Sequence, residues 1–450
     1  MKTNQGNTNR HPHNSMPDNE DRFGMEVPSA LDVHEDCAFD GAMLTLVPIV
    51  DAAHLIHGPS GCMSNYWGNH SNLSSDSKLN KVRFTTDMEE SDIIFGGANK
   101  LQKAILQLVR RYQPSAVFVY STCVSALIGD DIHGACNDAH EQTGIPIIPV
   151  DSPGFAGRKN LGIRLAGETL IEQVIGTAEP EFITPYDINI ISEYDIASAV
   201  NNILPLLEKL GIRVLAKIIC NTHYKEICYA HRAKLNVLIS AKVMLKFARK
   251  MQDKFDIPYI EASLYDVEDI NQLLRSVAAK LGNNELRELT ENLISEEVDN
   301  LSAKLTFYKS QLEGKTVIID ITDSPAWEMI SSAKSLGMNV IPISSGRLNQ
   351  EDRNRLKQLL DRDDIVLVND KNPEITLIIN ENQADLFIAS NSLNSLACQF
   401  HIPFLNINPE RHHVYAGYAG VLAAAQELYA TIYSPVWSQV RKSAPWEEVE

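Results

Sequence analysis

Short apolar runs separated by amphipathic stretches recur from about residue 85 to residue 410. They are AVFVY (116–120), PIIPV (146–150), VLAKII (214–219), TVIID (316–320), NVIPIS (339–344), DIVLV (364–368), DLFIA (385–389) and PFLNI (403–407). Most are continuous and β-branched rather than alternating, which predicts strands covered on both faces, as in a parallel sheet. Between them, KLQKAILQLVRRY (100–112) spaces its apolar residues as a helix does. In DSPAWEMISSAKSLGM, Ser324 suits a helix cap, Pro325 the first turn and Gly337 the end. Repeated strand–helix–strand units predict an α/β fold. A chain of 450 residues is too long for one core, and we divide it into three wound sheets, at about 29–185, 186–315 and 316–410. The charged helical segment 281–315 joins the second to the third. The stretch GYAGVLAAAQELYATIYSP (417–435) reads as one long helix, and region 411–450, a helix and tail, is expected to return to the first domain. No short-period repeat or coiled-coil heptad is evident.

Composition narrows the function classes. The formal charge of −18 disfavours a role dominated by nucleic-acid phosphates or anionic lipid. No window of about 18 uncharged apolar residues exists, so no membrane span is expected. Residues 1–28 are polar, Asn-rich and without an apolar core, which reads as a flexible tail rather than a signal. A cytoplasmic protein is the expectation. Its seven cysteines should then serve as metal ligands, reactive thiols or packing rather than as disulfides. No strand–helix turn carries GxGxxG or GxxxxGK[ST], so neither a dinucleotide nor a P-loop nucleotide is signalled.

Three cysteines share a setting. Cys37 in EDCAFDGAM, Cys62 in HGPSGCMSN and Cys123 in YSTCVSAL each lie at a turn or element start beside small residues. Small neighbours let an inorganic group approach the backbone. The separations are too long for a close-paired zinc knuckle and suit an iron–sulfur cluster gripped by loops from separate parts of a domain. Inert packing is the competing reading, since free cysteine is among the most buried residue types. Cys136, Cys220 and Cys398 read as core, and Cys228 as helix packing or a ligand. His54 and His57 read as turn residues, with a donor role behind Cys62 as the alternative. The pair His412-His413 follows the last strand, where wound sheets present ligands, but lacks a third metal donor.

The stretches CAFDGAMLTLVPIVDAAHLIHGPSGC, TTDMEESDIIFGGANK, VFVYSTCVSALIGDD, PVDSPGFAGRKNLGIRLAGE and GYAGVLAAAQELYATIYSPVWSQVRKSAPW resemble the nitrogenase component 1 superfamily, and within it the E-type subunits of the cofactor-assembly scaffold. The resemblance is collinear over about residues 36 to 446. It implies three Rossmann-like, doubly wound parallel-sheet domains and an α2β2 heterotetramer with a homologous N-type subunit. It also implies a [4Fe-4S] cluster at the subunit boundary, with Cys37, Cys62 and Cys123 as this chain's ligands and a fourth from the partner. Such scaffolds mature an iron–sulfur precursor with molybdenum or vanadium and homocitrate, served by the nitrogenase iron protein.

Departures matter. Where catalytic relatives carry Gln and His, this chain has Lys159 and Ile163, and where they carry a cofactor-ligand His it has Ala416. Lys159, Asn160 and Arg164 match the scaffold version, so dinitrogen reduction on this subunit is not expected. Ser240 stands where a precursor-anchoring Cys is usual, and His70 where an Arg is expected near the anionic cofactor. A serine hydroxyl is a poorer iron ligand than a thiolate. Cys228 would substitute only across about three turns of a straight helix, roughly 18 Å. Three readings stay open: an assembly scaffold, a nitrogenase-like reductase using the interface cluster on another substrate, and a plain α/β binding module.

Overall fold

Strand and helix alternate in space as they do in the chain, and the strands gather into three parallel sheets. The computed structural model describes residues 37–63, 79, 82–192, 200–239, 242–264, 266–321, 326–344, 350–360, 366–367, 372–389, 393–407 and 415–442. The expected tail (1–28), His70, Ser240 and His412-His413 fall outside them.

The first sheet begins with helix α1 (Ala38–Leu46), β1 (Ala53–His57) and β2 (Phe84–Thr85). Next come α2 (Glu90–Phe95), α3 (Ala98–Tyr112), β3 (Val117–Ser121), α4 (Cys123–Ile128), α5 (Ile132–Thr143), β4 (Ile147–Val150) and α6 (Lys159–Thr169). The second comprises β5 (Asp187–Ile191), α7 (Val200–Lys209), β6 (Arg213–Ile218), α8 (Tyr224–Tyr229), β7 (Leu235–Ile239), α9 (Leu245–Phe255), β8 (Tyr259–Ala262) and α10 (Val267–Leu281). The long α11 (Asn284–Leu312) crosses to the third. There lie β9 (Thr316–Asp320), α12 (Ala326–Ser335), β10 (Asn339–Ser344), α13 (Gln350–Leu360), β11 (Val366–Leu367), α14 (Asn372–Asn382), β12 (Leu386–Ala389), α15 (Asn394–Gln399) and β13 (Phe404–Asn406). Helices α16 (Gly417–Ile432) and α17 (Pro435–Val440) follow.

Strand orders are β2-β1-β3-β4, β6-β5-β7-β8 and β11-β10-β9-β12-β13. Each chain path starts in the middle and winds outward both ways, which defines doubly wound sheets. Both faces are covered: in β3, Phe118 and Tyr120 enter one apolar cluster while Val117 and Val119 enter another. The first of these clusters also takes Ile218 and Leu238 from the second sheet, so the first two sheets share a core.

Several expectations change. Strands β1, β2, β5, β7 and β8 add to those foreseen, and DIVLV is described as strand only at Val366–Leu367. The stretch from Cys228 to residue 239 is not one helix: α8 ends at Tyr229 and β7 intervenes, so the straight-helix offset does not apply. Helix α16 sends Tyr418 and Val421 into the second core and Ala424, Ala425 and Leu428 into the third. It therefore seats on the second and third domains, where its apolar residues find partners, instead of returning to the first.

Candidate metal centre

In an open wound sheet, ligands bind beyond the carboxyl ends of the strands, where the winding direction reverses. In the first sheet that crevice lies between β1 and β3, whose last residues His57 and Ser121 are direct neighbours. Two of the three cysteines come off these strands: Cys62 from the turn after β1, and Cys123 as the first residue of α4, immediately after β3. Thr122 caps α4 through reciprocal bonds with Ser125, and its hydroxyl donates to the His57 carbonyl at 2.9 Å. The turn after β1 is thereby tied to the base of α4.

Cys37 arrives by another route. It is the N-cap of α1. Helices α1 and α6 cross in backbone contact: a Cβ on Gly41 would lie 2.0 Å from the Lys159 carbonyl oxygen, and one on Gly162 1.8 Å from that of Ala38. Only glycine fits such a crossing. The Ala38 amide donates to the Gly157 carbonyl at 2.9 Å, and Cys37 bridges Arg158. The crossing thus delivers Cys37 to the loop after β4.

In that loop Gly154 completes the cradle. A Cβ there would sit 3.0 Å from the Cys37 sulfur and 3.0 Å from the Cys123 sulfur, so the sulfurs are separated by at most twice that distance. Cys62 lies within electrostatic reach of Cys123 and Asp40. All three cysteines are partly exposed. Burial pushes the Cys37 thiol up to about 11, and Asp40, whose carboxylate accepts from its thiol and amide at 3.2 Å, adds to the rise. The Cys62 thiol is raised by burial first, then by its electrostatic interactions with Cys123 and Asp40.

A single ion gathers its thiolates about 2.3 Å from one point. No three His, Cys, Asp or Glu among the described residues form such a group. A cluster brings its own irons and spreads its thiolates wider. Two of the five buried polar atoms left without a partner among the described residues belong here, Asp40 Oδ1 and Ser152 Oγ. An unpartnered carboxylate oxygen and hydroxyl beside the cysteines suit a polar, sulfide-bearing group better than a closed apolar core.

The other cysteines and histidines sort as follows. Cys136, Cys220 and Cys228 are buried, Cys228 accepting from Thr177 Oγ1 at 3.2 Å. Cys398 is exposed on α15, not in the core as the sequence suggested, because this short helix turns that face to solvent. His54 and His57 sit on a buried strand rather than in a turn. His54 stacks on Phe118 and bonds Tyr120 OH at 2.8 Å, and burial pulls it down to about 4, so it is a neutral core residue. His57 faces Asp130 at 2.9 Å, a partner the sequence reading missed.

Lys159, Asn160 and Arg164 all lie on α6, so the crossing places them behind Cys37. Arg164 lines a notch with Glu168, Met244, Lys246, Phe247 and Lys250. It encloses about 10 Å³, room for about one water and for no large cluster. Ile163 is buried in the core beside it. Ala416 caps α16, its carbonyl accepting from Asn202 at 2.8 Å. Neither side chain can ligate a metal.

The cysteine-bearing segments and their neighbours carry an exposed apolar rim. Ile94 and Phe95 end α2, Leu127 lies four residues past Cys123, and Phe155 follows Gly154; these four are 59–87% exposed. No described helix is long and apolar enough to cross a membrane.

The chain is 53% identical over 412 residues to the nitrogenase iron-molybdenum cofactor biosynthesis protein NifE of Nostoc sp., covering 92% of this chain and 86% of that protein. Against the NifE of Klebsiella pneumoniae it is 38% identical, covering 94% and 95%. Among solved structures, nitrogenase Cp1 at pH 5 superposes with a TM-score of 0.77 at 27% identity, covering 92% of this chain and 90% of that one. The profile of nitrogenase component 1 type oxidoreductases matches residues 37–433. This chain is a member of the nitrogenase component 1 type oxidoreductase family.

Proposed function

We propose that this chain is the E-type subunit of a scaffold on which the iron–molybdenum cofactor of nitrogenase, or a related one, is assembled. The observation that carries the reading is the convergence of Cys37, Cys62 and Cys123 on the crevice of the first sheet, roofed by Gly154. These three thiolates would hold a [4Fe-4S] cluster, which supplies one-electron transfer when bound, with a fourth ligand from a homologous N-type subunit in an α2β2 assembly. The apolar rim of Ile94, Phe95, Leu127 and Phe155 supports that placement, because a monomer rarely leaves such a patch uncovered beside a polar cleft. Burial keeps Cys37 protonated in the metal-free chain, so seating the cluster displaces a proton there.

The precursor is cargo. Lys159, Asn160 and Arg164 on α6, with Ser240 and His70, are its proposed contacts; the notch that Arg164 lines is too small as it stands, so seating the precursor would require that notch to open. The nitrogenase iron protein is the expected electron donor, and the cytoplasm the expected compartment. Ser240 in place of a thiol favours a second reading, a reductase that uses the interface cluster on another substrate. The test is anaerobic co-purification with the N-type partner, loading with precursor and metal, and transfer to apo-nitrogenase. Transfer supports the scaffold. Turnover of a substrate without transfer supports the reductase. Neither, with no iron bound, ends both.

A further inference from the structure

Beside the cysteines runs a buried polar chain that cluster ligation does not use. His57 is the last residue of β1, and its side chain is fully buried. Its Nε2 lies 2.9 Å from Asp130 Oδ2, and Asp130 is only 5% exposed. Its Nδ1 lies 3.0 Å from Thr86 Oγ1, which also accepts the Gly58 amide at 3.1 Å. Asp130 Oδ1 accepts the Gly97 amide at 2.8 Å. The Thr86 hydroxyl already has a donor from Gly58, so its own proton is free for Nδ1, leaving Nε2–H to donate to the carboxylate. Burial, which outweighs the attraction of Asp130, lowers the His57 pKa and keeps the ring in that neutral form.

The chain of bonds joins the elements that carry the cysteines. Gly58 opens the turn to Cys62, and a Cβ on it would strike the Thr122 side chain at 2.3 Å. Asp130 ends the segment that begins with Cys123, and its amide returns to the Ser125 carbonyl at 3.1 Å. Gly97, packed against Asp130, Met88 and His57, anchors α2 with its exposed Ile94 and Phe95. The Thr122 hydroxyl adds a further tie between the two turns, to the His57 carbonyl.

We infer that His57 and Asp130 act as a positioning pair, fixing the placement of the Cys62 and Cys123 thiolates relative to one another. Neither residue touches the group those thiolates hold. The inference rests on the cluster reading above. An imidazole donor of fixed length, clamped at both nitrogens, holds two turns at a set spacing; a flexible side chain at 57 would let them drift. Drift strains a rigid cluster more in one oxidation state than in the other, so the spacing is read out as a potential and a spectral shape.

The test uses the complete complex with its partner, prepared anaerobically. His57→Gln retains one donor to Asp130, and Asp130→Asn retains the shape while removing the charge. Asp131→Asn is the control, since Asp131 is a neighbouring carboxylate that caps α5 through Gly134 at 2.8 Å and lies outside the chain of bonds. His57→Gln and Asp130→Asn are expected to keep most of the iron, to broaden the electron paramagnetic resonance signal of the reduced complex, and to shift its reduction equilibrium about tenfold, ~59 mV for one electron. Combining the two substitutions should add little, as for residues acting through one contact. Asp131→Asn, which keeps a capping oxygen for the Gly134 amide, should leave both the melting temperature and the spectrum near those of the parent. A wild-type spectrum and potential in both His57→Gln and Asp130→Asn overturns the positioning role. Cys62→Ala and Cys123→Ala test the ligation separately: if they retain full iron, the cluster reading fails, whatever the pair does.

Discussion

Gly154→Ala adds one methyl group at the point where two sulfurs meet. The backbone there is outside the left-handed region, so alanine brings no conformational strain of its own. Its Cβ would stand 3.0 Å from the sulfurs of Cys37 and Cys123, against about 3.5–4.0 Å for a comfortable contact. In the metal-free chain both thiols end single side chains and can rotate away at small cost. Irons bonded to those sulfurs forbid the rotation. The penalty therefore falls on the loaded form. Overpacking a well-fitted site costs about 1–3 kcal/mol, and if it falls only on the loaded form the cluster binds about 5- to 150-fold more weakly. The assay is anaerobic reconstitution of the complex, with iron per complex and absorbance followed against a competing chelator. A thermal melt of the metal-free chain serves as the reference. Weaker iron retention with a near-unchanged metal-free melt is the expected result. Retention at the wild-type level would refute the reasoning, because the methyl group would then face away from any cluster.

Other substitutions follow from the same structure. Cys62→Ala should remove most of the iron–sulfur absorbance near about 400 nm, and full iron content would contradict its role as a ligand. Gly162→Ala would press a Cβ to 1.8 Å from the Ala38 carbonyl oxygen; forcing α1 and α6 apart should cost about 3 kcal/mol or more, read as a lower denaturation midpoint, and should reduce iron retention through Cys37. Glu328 is buried, and desolvation raises its carboxyl to about 7 despite the Tyr415 amide and Arg355. Its protonated form is the one folding favours, so that contribution is full below the unfolded value near 4.5 and is lost as pH rises through 7. The swing is about 3 kcal/mol. Glu328→Gln should therefore gain on the parent by up to that amount between pH 4.5 and 8, seen in denaturant midpoints; a pH-independent difference would place the titration elsewhere.

The sequence revealed the elements whose hydrophobicity is uninterrupted and hid the rest. Strand β3 stands out as an unbroken apolar run, and Cys123 is conspicuous at its end. Strand β1 carries His54 and His57, which break the pattern, and each finds a partner distant in the chain, Tyr120 and Asp130. Strands β5 and β7 conceal Asn189 and Asn236, joined inside the second sheet by a bond from Asn189 Nδ2 to Asn236 Oδ1 at 2.9 Å, while the other amide atom of each has no partner among the described residues. The same logic explains the site. Three cysteines beside small residues were visible, but their convergence depends on Gly41 and Gly162, whose role exists only once α1 and α6 cross. Asp130, 73 residues from His57, gives no local signal at all. Cys398 misled because an apolar neighbourhood in the chain, QFHIPF, does not imply a buried face on a helix of six residues.

Helix α16 also bears on how the molecule is made. Its residues complete the cores of both the second and the third sheets. A chain emerging from the ribosome folds from its beginning, so the strands of the first sheet are made early, although the core they share with the second sheet also takes Ile218 and Leu238. The other two sheets must wait, half-formed and with apolar surface open to water, until residue 428 has been synthesised. That interval is when the nascent protein most needs protection from aggregation, and it is also when a metal centre could be seated before the rest of the structure closes.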